Sequence, residues 1–458
     1  MLQFFRINDP YRMIFVFLIL VAIRVTWIIA GLPLSLPELK WLLVGERLSD
    51  GFTMYKDLYD HTGPLAAFIY KWLDFVFGRS RWVHLVVSTF LVTVQAGIFN
   101  RILLKNKAYD ENSYVPAFLY IVLMSSVMDF FALSPQLMAI TFILLSLNHI
   151  FRRIDNVVTD ELFLLSGIYL GVATCFYLPA AVFFVIFLLS FILFSSAVPR
   201  RLLLLVYGAG VVFVVIWAYF FWFGAGRDFL GDFFVEGVSK ARIFYVSFME
   251  LLGIGGFLLG VTLLSLTVLF SLRVTNYQQK MQQVMVSFML AAFLVVLFSR
   301  DLMSADLIFF VPTTTFFLVH YFLGLRRKVW KVLMPYLMVI GLLVYPNVWL
   351  RNNPPSGLLV KPSEVKVPGN RLMGLGLDVA DYQEYVLAGP FLDAEVSRKK
   401  MEDLHYYDEA SGLFETLEQS APDAIIDQWG DMAQIFERFP VFSAHYQETS
   451  PGVYLRVD

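Results

Sequence analysis

The chain has 458 residues, 58% of them hydrophobic and 17% aromatic, with a mean hydropathy of +0.68, values that no soluble globular domain sustains over such a length. A formal net charge of −2 with no basic stripe excludes a nucleic-acid-binding surface, and a single cysteine, Cys175 in an apolar run, excludes an intrachain disulfide or a thiolate metal site. A polytopic membrane protein remains.

The first apolar run, near residues 12–31, is of span length. It is followed by Pro-Leu-Ser-Leu-Pro-Glu and not by a small-residue cleavage site, which predicts a retained helix and no cleaved signal peptide. The polar stretch that follows, within an outer loop at 32–81, has internal order. In LPELKWLLVGERL, Leu36, Leu39, Leu42, Leu43 and Leu48 share one helical face, while Glu38, Lys40, Glu46 and Arg47 fall elsewhere. This spacing predicts an amphipathic helix lying at the membrane interface, with Pro37 in its first turn. Gly51 ends it, MYKDLYDHTG reads as a polar turn, and Pro64 opens PLAAFIYKWLDFVFG. That segment is too short, and too charged at Lys71 and Asp74, to span, so it is predicted as a second juxtamembrane helix.

Further runs follow near 82–104, 114–130, 133–151, 161–177, 179–198, 202–224, 251–272, 283–299, 305–323 and 329–347, about eleven spans in all. The nearly continuous stretches 114–151 and 161–198 are divided at Asp129 to Pro135 and at Tyr177 to Pro179, where turn chemistry is present. Arg101, Lys105, Arg152, Arg153, Arg200 and Arg201 gather on the side of the N-terminus, so the positive-inside rule places that end in the cytoplasm. Everything after about Tyr345 then lies outside, in the compartment of the 32–81 loop.

From Asn352 the composition turns charged, with Pro354, Pro355, Pro362 and Pro368 marking a linker. Strand-like RLMGLGLD (371–378), a helix-like stretch (395–419), DAIIDQW (423–429) and GVYLRV (452–457) predict a small α/β domain. Gly374 and Gly376 lack a third glycine and a following helix start, so they form no phosphate loop. The expected fold is an all-α polytopic membrane domain over 1–351, a linker over 352–370, and an extracytoplasmic α/β domain over 371–458.

The order of Arg24 in AIRVTWI, then LPE, a Gly-Glu-Arg helix end, MYKDLYD and a GPL that opens a helix resembles the first outer loop of the GT-C glycosyltransferases. These are polyprenyl-phosphate-sugar-dependent membrane enzymes that include the protein mannosyltransferases and the lipid A aminoarabinose transferase. ADLIFFVPTTTFFLVHYF (305–322) is similar to their late span, and PDAIIDQW to a strand of some outer tails. The resemblance implies transfer of a sugar from a polyprenyl-phosphate donor in the bilayer to a glycan, lipid or protein acceptor, at the outer face of a bacterial inner membrane. Such a reaction needs an acidic base for the acceptor proton and cations for the leaving phosphate.

Glu38 stands where the family has an Asp-Glu pair, but Pro37 replaces the aspartate, so Glu38, Asp57 or Asp60 must supply the base. Each has a plainer role available: Glu38 favours a helix N-terminus, and Asp57 and Asp60 suit a turn. Lys56, His61, Arg24 and Arg300 are candidates for substrate or phosphate binding. Against these roles, Arg24 near its helix end suits snorkelling, and Asp301 suits pairing with Arg300. Arg227, Lys240 and Arg242 are alternative phosphate partners. Asp129 could share a divalent ion with acids of the first loop, or simply end a helix.

Two other functions compete. One is a catalytically inactive GT-C-fold scaffold of a cell-envelope complex that docks protein partners through its tail, which the loss of the aspartate favours. The other is a lipid flippase or transporter. The gathering of acidic residues at one surface instead of mid-membrane speaks against it.

Overall fold

The computed structural model describes residues 2–154, 159–195, 199–238, 243–271, 274–325, 327–363, 365–402 and 407–457. Lys240, Arg242 and positions 403–406 of the helix-like tail stretch lie outside them. Among the described residues, eight helices are long and apolar enough to cross a membrane. They are Arg12–Ile29, Arg81–Lys105, Pro135–Ile154, Pro199–Trp222, Phe248–Phe270, Asn276–Phe298, Ser304–Gly324 and Val329–Asn352. The protein is an integral membrane protein.

The other three expected runs are shorter helices: Val115–Leu123 with 9 residues, Asp160–Phe176 with 17 and Ala181–Ser195 with 15. Val115–Leu123 rises only about 13 Å at 1.5 Å per residue. All of its residues are buried, and a 3-10 turn, Met128–Phe131, follows it. Hydropathy does not separate a lipid-facing span from a helix that other helices enclose, because both are apolar all round.

The chain divides into two compact units, and the division does not follow sequence order. The first comprises Met1–Pro33, Trp82–Val214 and Lys240–Leu358, and the second Leu34–Arg81, Val215–Ser239 and Leu359–Asp458. In the first unit, glycines permit a close helix approach. A Cβ on Gly167 would lie 2.0 Å from the Leu205 carbonyl oxygen, and one on Gly208 2.4 Å from that of Leu164. Glycine at both places lets Asp160–Phe176 and the start of Pro199–Trp222 meet backbone to backbone.

The second unit is built on a five-stranded sheet: β1 (Arg371–Leu375), β2 (Val386–Leu387), β3 (Ala424–Asp427), β4 (Tyr446–Ser450) and β5 (Val453–Arg456). Its order is β2-β1-β3-β5-β4, with β2, β1 and β3 parallel and β5 antiparallel to both β3 and β4. The two acids of the PDAIIDQW stretch hold backbone. Asp423 accepts from the amides of Asn370 and Arg371 at 2.8 and 3.0 Å, and Asp427 from those of Trp429, Gly430 and Met432 at 2.9, 2.8 and 2.7 Å.

The helix Leu36–Ser49 packs on Pro64–Phe77 in the same unit. Glycine at position 45 permits this, since a Cβ there would lie 2.8 Å from the Tyr70 carbonyl oxygen. The expected interface-lying amphipathic helix is corrected: Leu36 to Gly45, Arg47 and Leu48 are all buried, polar residues included. Its polar face is covered by partners from the loop and the tail and not by water or headgroups.

Candidate functional site

The turn after Leu36–Ser49 is fixed by its own side chains. Tyr55 sits in the left-handed region at φ 70°, a strained position for a non-glycine residue. It is held there by full burial, by its hydroxyl donating to the Thr62 carbonyl at 2.7 Å, and by its ring packing on Phe220 and Phe229. Asp57 accepts from the Thr53 amide at 2.8 Å and from the Thr416 hydroxyl at 2.9 Å, so it closes the turn and ties it to the tail helix Tyr407–Ser420. Lys56 next to it is half-exposed.

The chain then enters a short bridge in which Tyr59 pairs with Phe391: the Tyr59 amide donates to the Pro390 carbonyl at 2.8 Å, and the Asp393 amide donates to the Tyr59 carbonyl at 3.0 Å. This backbone register sets the next two residues against the tail. Asp60 is fully buried, and Lys40 Nζ lies 2.6 Å from its Oδ1. Its other oxygen, Oδ2, accepts from the Thr62 amide at 3.2 Å and from the Thr62 hydroxyl. His61 Nδ1 lies 3.0 Å from Asp393 Oδ2 and 3.6 Å from Asp60 Oδ1. Asp393 in turn caps the helix Ala394–Glu402, with Oδ1 accepting from the amides of Glu395 and Val396 at 3.1 and 3.2 Å. Lys40 Nζ is also 3.5 Å from Asp393 Oδ2. Two carboxylates, an ammonium and an imidazole therefore meet at one buried place, and the His61 side chain, 13% exposed, is its most accessible member.

This cluster unites two of the residues that the sequence singled out, Asp60 and His61, with two it did not, Lys40 and Asp393. Glu38 is engaged otherwise: the Arg81 Nε donates to its Oε1 at 3.0 Å. Burial pushes the Glu38 carboxyl up, and Arg81 opposes that rise. A neighbouring pair, Glu46 and Arg79, has Nη1 to Oε2 at 3.3 Å, with the same guanidinium donating to the carbonyls of Tyr385 and Tyr382 at 2.9 and 2.8 Å.

Arg24, Asp129 and Arg300 belong to the first unit. Arg24 is buried and donates to the hydroxyls of Ser88 and Thr89 at 2.6 and 3.0 Å and to the Phe130 carbonyl at 3.1 Å. It thus joins the first span to the second and to the 3-10 turn; its side chain does not snorkel. Asp129 accepts from the Ser304 hydroxyl. Arg300 is buried where Ile243–Phe244 pairs in parallel with Asp301–Leu302. Among the described residues, the ligand-type atoms that converge are not around Asp129 but on Asp60, His61 and Asp393, all within 4.8 Å of one another. By donor type this set suits a divalent ion, yet the Lys40 ammonium already stands at its two carboxylates, so no chemical step is assigned to a metal here.

No protein-family model and no curated protein matches this chain. Among solved structures it is similar to ArnT from Cupriavidus metallidurans bound to undecaprenyl phosphate, over 98% of this chain and 98% of that one, with a TM-score of 0.58 at 14% identity. The chain has a GT-C fold. A second likeness, to the archaeal oligosaccharyltransferase AglB from Archaeoglobus fulgidus in complex with an inhibitory peptide and a dolichol-phosphate, covers 98% of this chain and 75% of that one. Its TM-score is 0.47 at 10% identity.

In this GT-C fold the position before Glu38 carries Pro37 in the first turn of its helix. The residues missed by sequence reasoning had signals with a plainer meaning. Asp393 precedes Ala-Glu-Val and reads as a helix cap, which it also is. Lys40 reads as the polar face of an amphipathic helix, and Arg81 as the positive flank of a span.

Proposed function

We propose that the protein is a membrane glycosyltransferase that moves a sugar from a polyprenyl-phosphate donor to an envelope acceptor at the outer face of a bacterial inner membrane, with its N-terminus inside. The fold likeness to ArnT, whose structure holds undecaprenyl phosphate, supports the donor class. The observation that carries the chemistry is the His61–Asp393 pair beside the Lys40–Asp60 pair. With its Nδ1 proton donated to Asp393, the imidazole carries its lone pair on Nε2, the arrangement of a general base oriented by a carboxylate. The acceptor hydroxyl or amine gives its proton to His61 while its oxygen or nitrogen bonds the anomeric carbon. The bond from that carbon to the phosphate oxygen breaks, and its electron pair leaves with the polyprenyl phosphate. Asp393 steadies the imidazolium, and the Lys40–Asp60 pair stands next to it. Lys56, on the same turn, is the proposed contact for the departing phosphate.

The test is mass spectrometry of envelope glycans from cells that express wild type or His61→Ala at equal levels. Loss of one sugar modification in the variant is expected. Unchanged glycans would instead support the second reading, a non-catalytic scaffold, which Pro37 and the engagement of Glu38 by Arg81 favour.

A further inference from the structure

The buried cluster carries an inference about its cation. Each of its carboxylates uses one oxygen locally: Asp60 Oδ2 on Thr62, and Asp393 Oδ1 on the first amides of its helix. The second oxygens, Asp60 Oδ1 and Asp393 Oδ2, face a common point together with His61 Nδ1. The ligand atoms of the three residues lie within 4.8 Å of one another, close enough for small shifts to bring them to the about 2.0–2.2 Å at which a divalent ion holds its ligands. Lys40 Nζ is placed on the same two oxygens, at 2.6 and 3.5 Å. Its position is set by the buried helix Leu36–Ser49, and its side chain is only 5% exposed, so it has no solvated alternative close at hand. An ammonium and a divalent ion cannot share these lone pairs, because each needs the oxygens the other takes and like charges repel strongly in a buried place.

We propose that Lys40 is the resident cation of this site, standing where a divalent metal would otherwise bind, so that the wild-type protein works without a bound metal ion. The inference rests on the cluster being the centre of the glycosyltransferase reading, but its test reads metal binding and not activity. Removing the ammonium leaves two buried carboxylates and an imidazole, which is a divalent-ion site by donor type and spacing.

The experiment uses the full chain purified in detergent, with Zn2+ as probe, metal content by mass spectrometry and thermal midpoints with and without Zn2+. Wild type is expected to retain less than about a tenth of an equivalent after desalting, with its midpoint unmoved; these thresholds follow from mass-action stabilisation by a bound ligand. Lys40→Ala is expected to retain about one equivalent and to gain several degrees with Zn2+, by the same linkage. Lys40→Arg, which keeps a cation, should stay metal-free, and Lys40→Ala/Asp393→Asn should lose its Zn2+. One equivalent on wild type that Asp393→Asn removes would overturn the proposal, as would a monodisperse Lys40→Ala that takes none. If Lys40→Ala does not fold, the wild-type and Asp393→Asn arms still decide. Should no sugar transfer be found at all, the glycosyltransferase reading fails while these binding arms stand unaffected.

Discussion

Asp393 Oδ2 lies 3.0 Å from Nδ1 of His61, a residue 332 positions earlier in the chain. The same aspartate starts a helix of the tail, so one carboxylate both caps backbone and orients an imidazole. These two duties can be separated by substitution. Asn caps a helix about as well as Asp, whereas Ala costs about 1 kcal/mol at such a position. Asp393→Asn is therefore expected to keep the cap and lose less stability than Asp393→Ala, yet lower sugar transfer by about 10²-fold or more, the usual worth of the general-base catalysis it would misalign at His61. Asp393→Ala should lose both. A stability loss confined to Asp393→Ala, with transfer intact in Asp393→Asn, would reduce Asp393 to a cap.

The Lys40–Asp60 pair is buried on both sides, with side-chain exposures of 5% and 0%. Breaking a buried pair by removing one partner costs about 3–5 kcal/mol, because the other charge stays behind. Lys40→Met is expected to fall in that range. Lys40→Met/Asp60→Asn should recover a good part of the loss, and the thermodynamic cycle over the two sites measures the coupling. Additive single losses would show that the pair does not act as a unit.

Glu46 gives a pH prediction. Burial pushes its carboxyl from the ordinary 4.5 up to about 7, while Arg79 opposes the rise and Asp74 adds to it. A raised carboxyl pKa means that the folded state holds the proton longer than the unfolded one. The stability it contributes is full below about pH 4.5, declines as pH rises, and is gone above about pH 7. Glu46→Gln should flatten stability across that window and leave its value at low pH nearly unchanged. Chemical denaturation followed between pH 4.5 and 8 checks it, on the linkage between bound protons and stability; an unaltered slope in the variant would assign the dependence to another group.

Arg24 donates to two hydroxyls and a carbonyl within the first unit. Arg24→Met leaves buried acceptors without their donor, at about 1–3 kcal/mol each. Arg24→Lys cannot reproduce the planar fork. Both variants are expected to lower the thermal midpoint in detergent while the affinity for a polyprenyl-phosphate probe stays within a factor of about two, since an unchanged contact set leaves binding free energy unchanged. A fall in lipid affinity at unchanged stability would make Arg24 a phosphate contact.

Much of the architecture was legible in the sequence, because the information is local. Apolar runs marked the eight long helices, although the run from 283 missed the first turns of Asn276–Phe298 and the run ending at 347 fell short of Asn352; Pro37 and Pro64 marked the starts of the two loop helices, and short strand-like stretches marked β1, β3 and β5. Hydropathy sums and helix signals depend only on neighbours in the chain, so they survive without knowledge of the fold. The same locality explains the misses. Val115–Leu123 is as greasy as a span but is enclosed and short, and β2, with two residues, has no pattern to find.

Of the candidate site, the sequence by itself singled out the segment: an acidic turn with Asp57, Asp60 and His61 between two loop helices. Only the tertiary structure decided which of them do what. Asp57 was drawn to Thr416, Glu38 to Arg81, and Asp60 and His61 to Lys40 and Asp393. A buried charge must find a partner or remain neutral, and which partner it finds depends on where the folded chain brings distant residues together. The bridge of Tyr59 with Phe391 made that choice by placing the tail against the first loop.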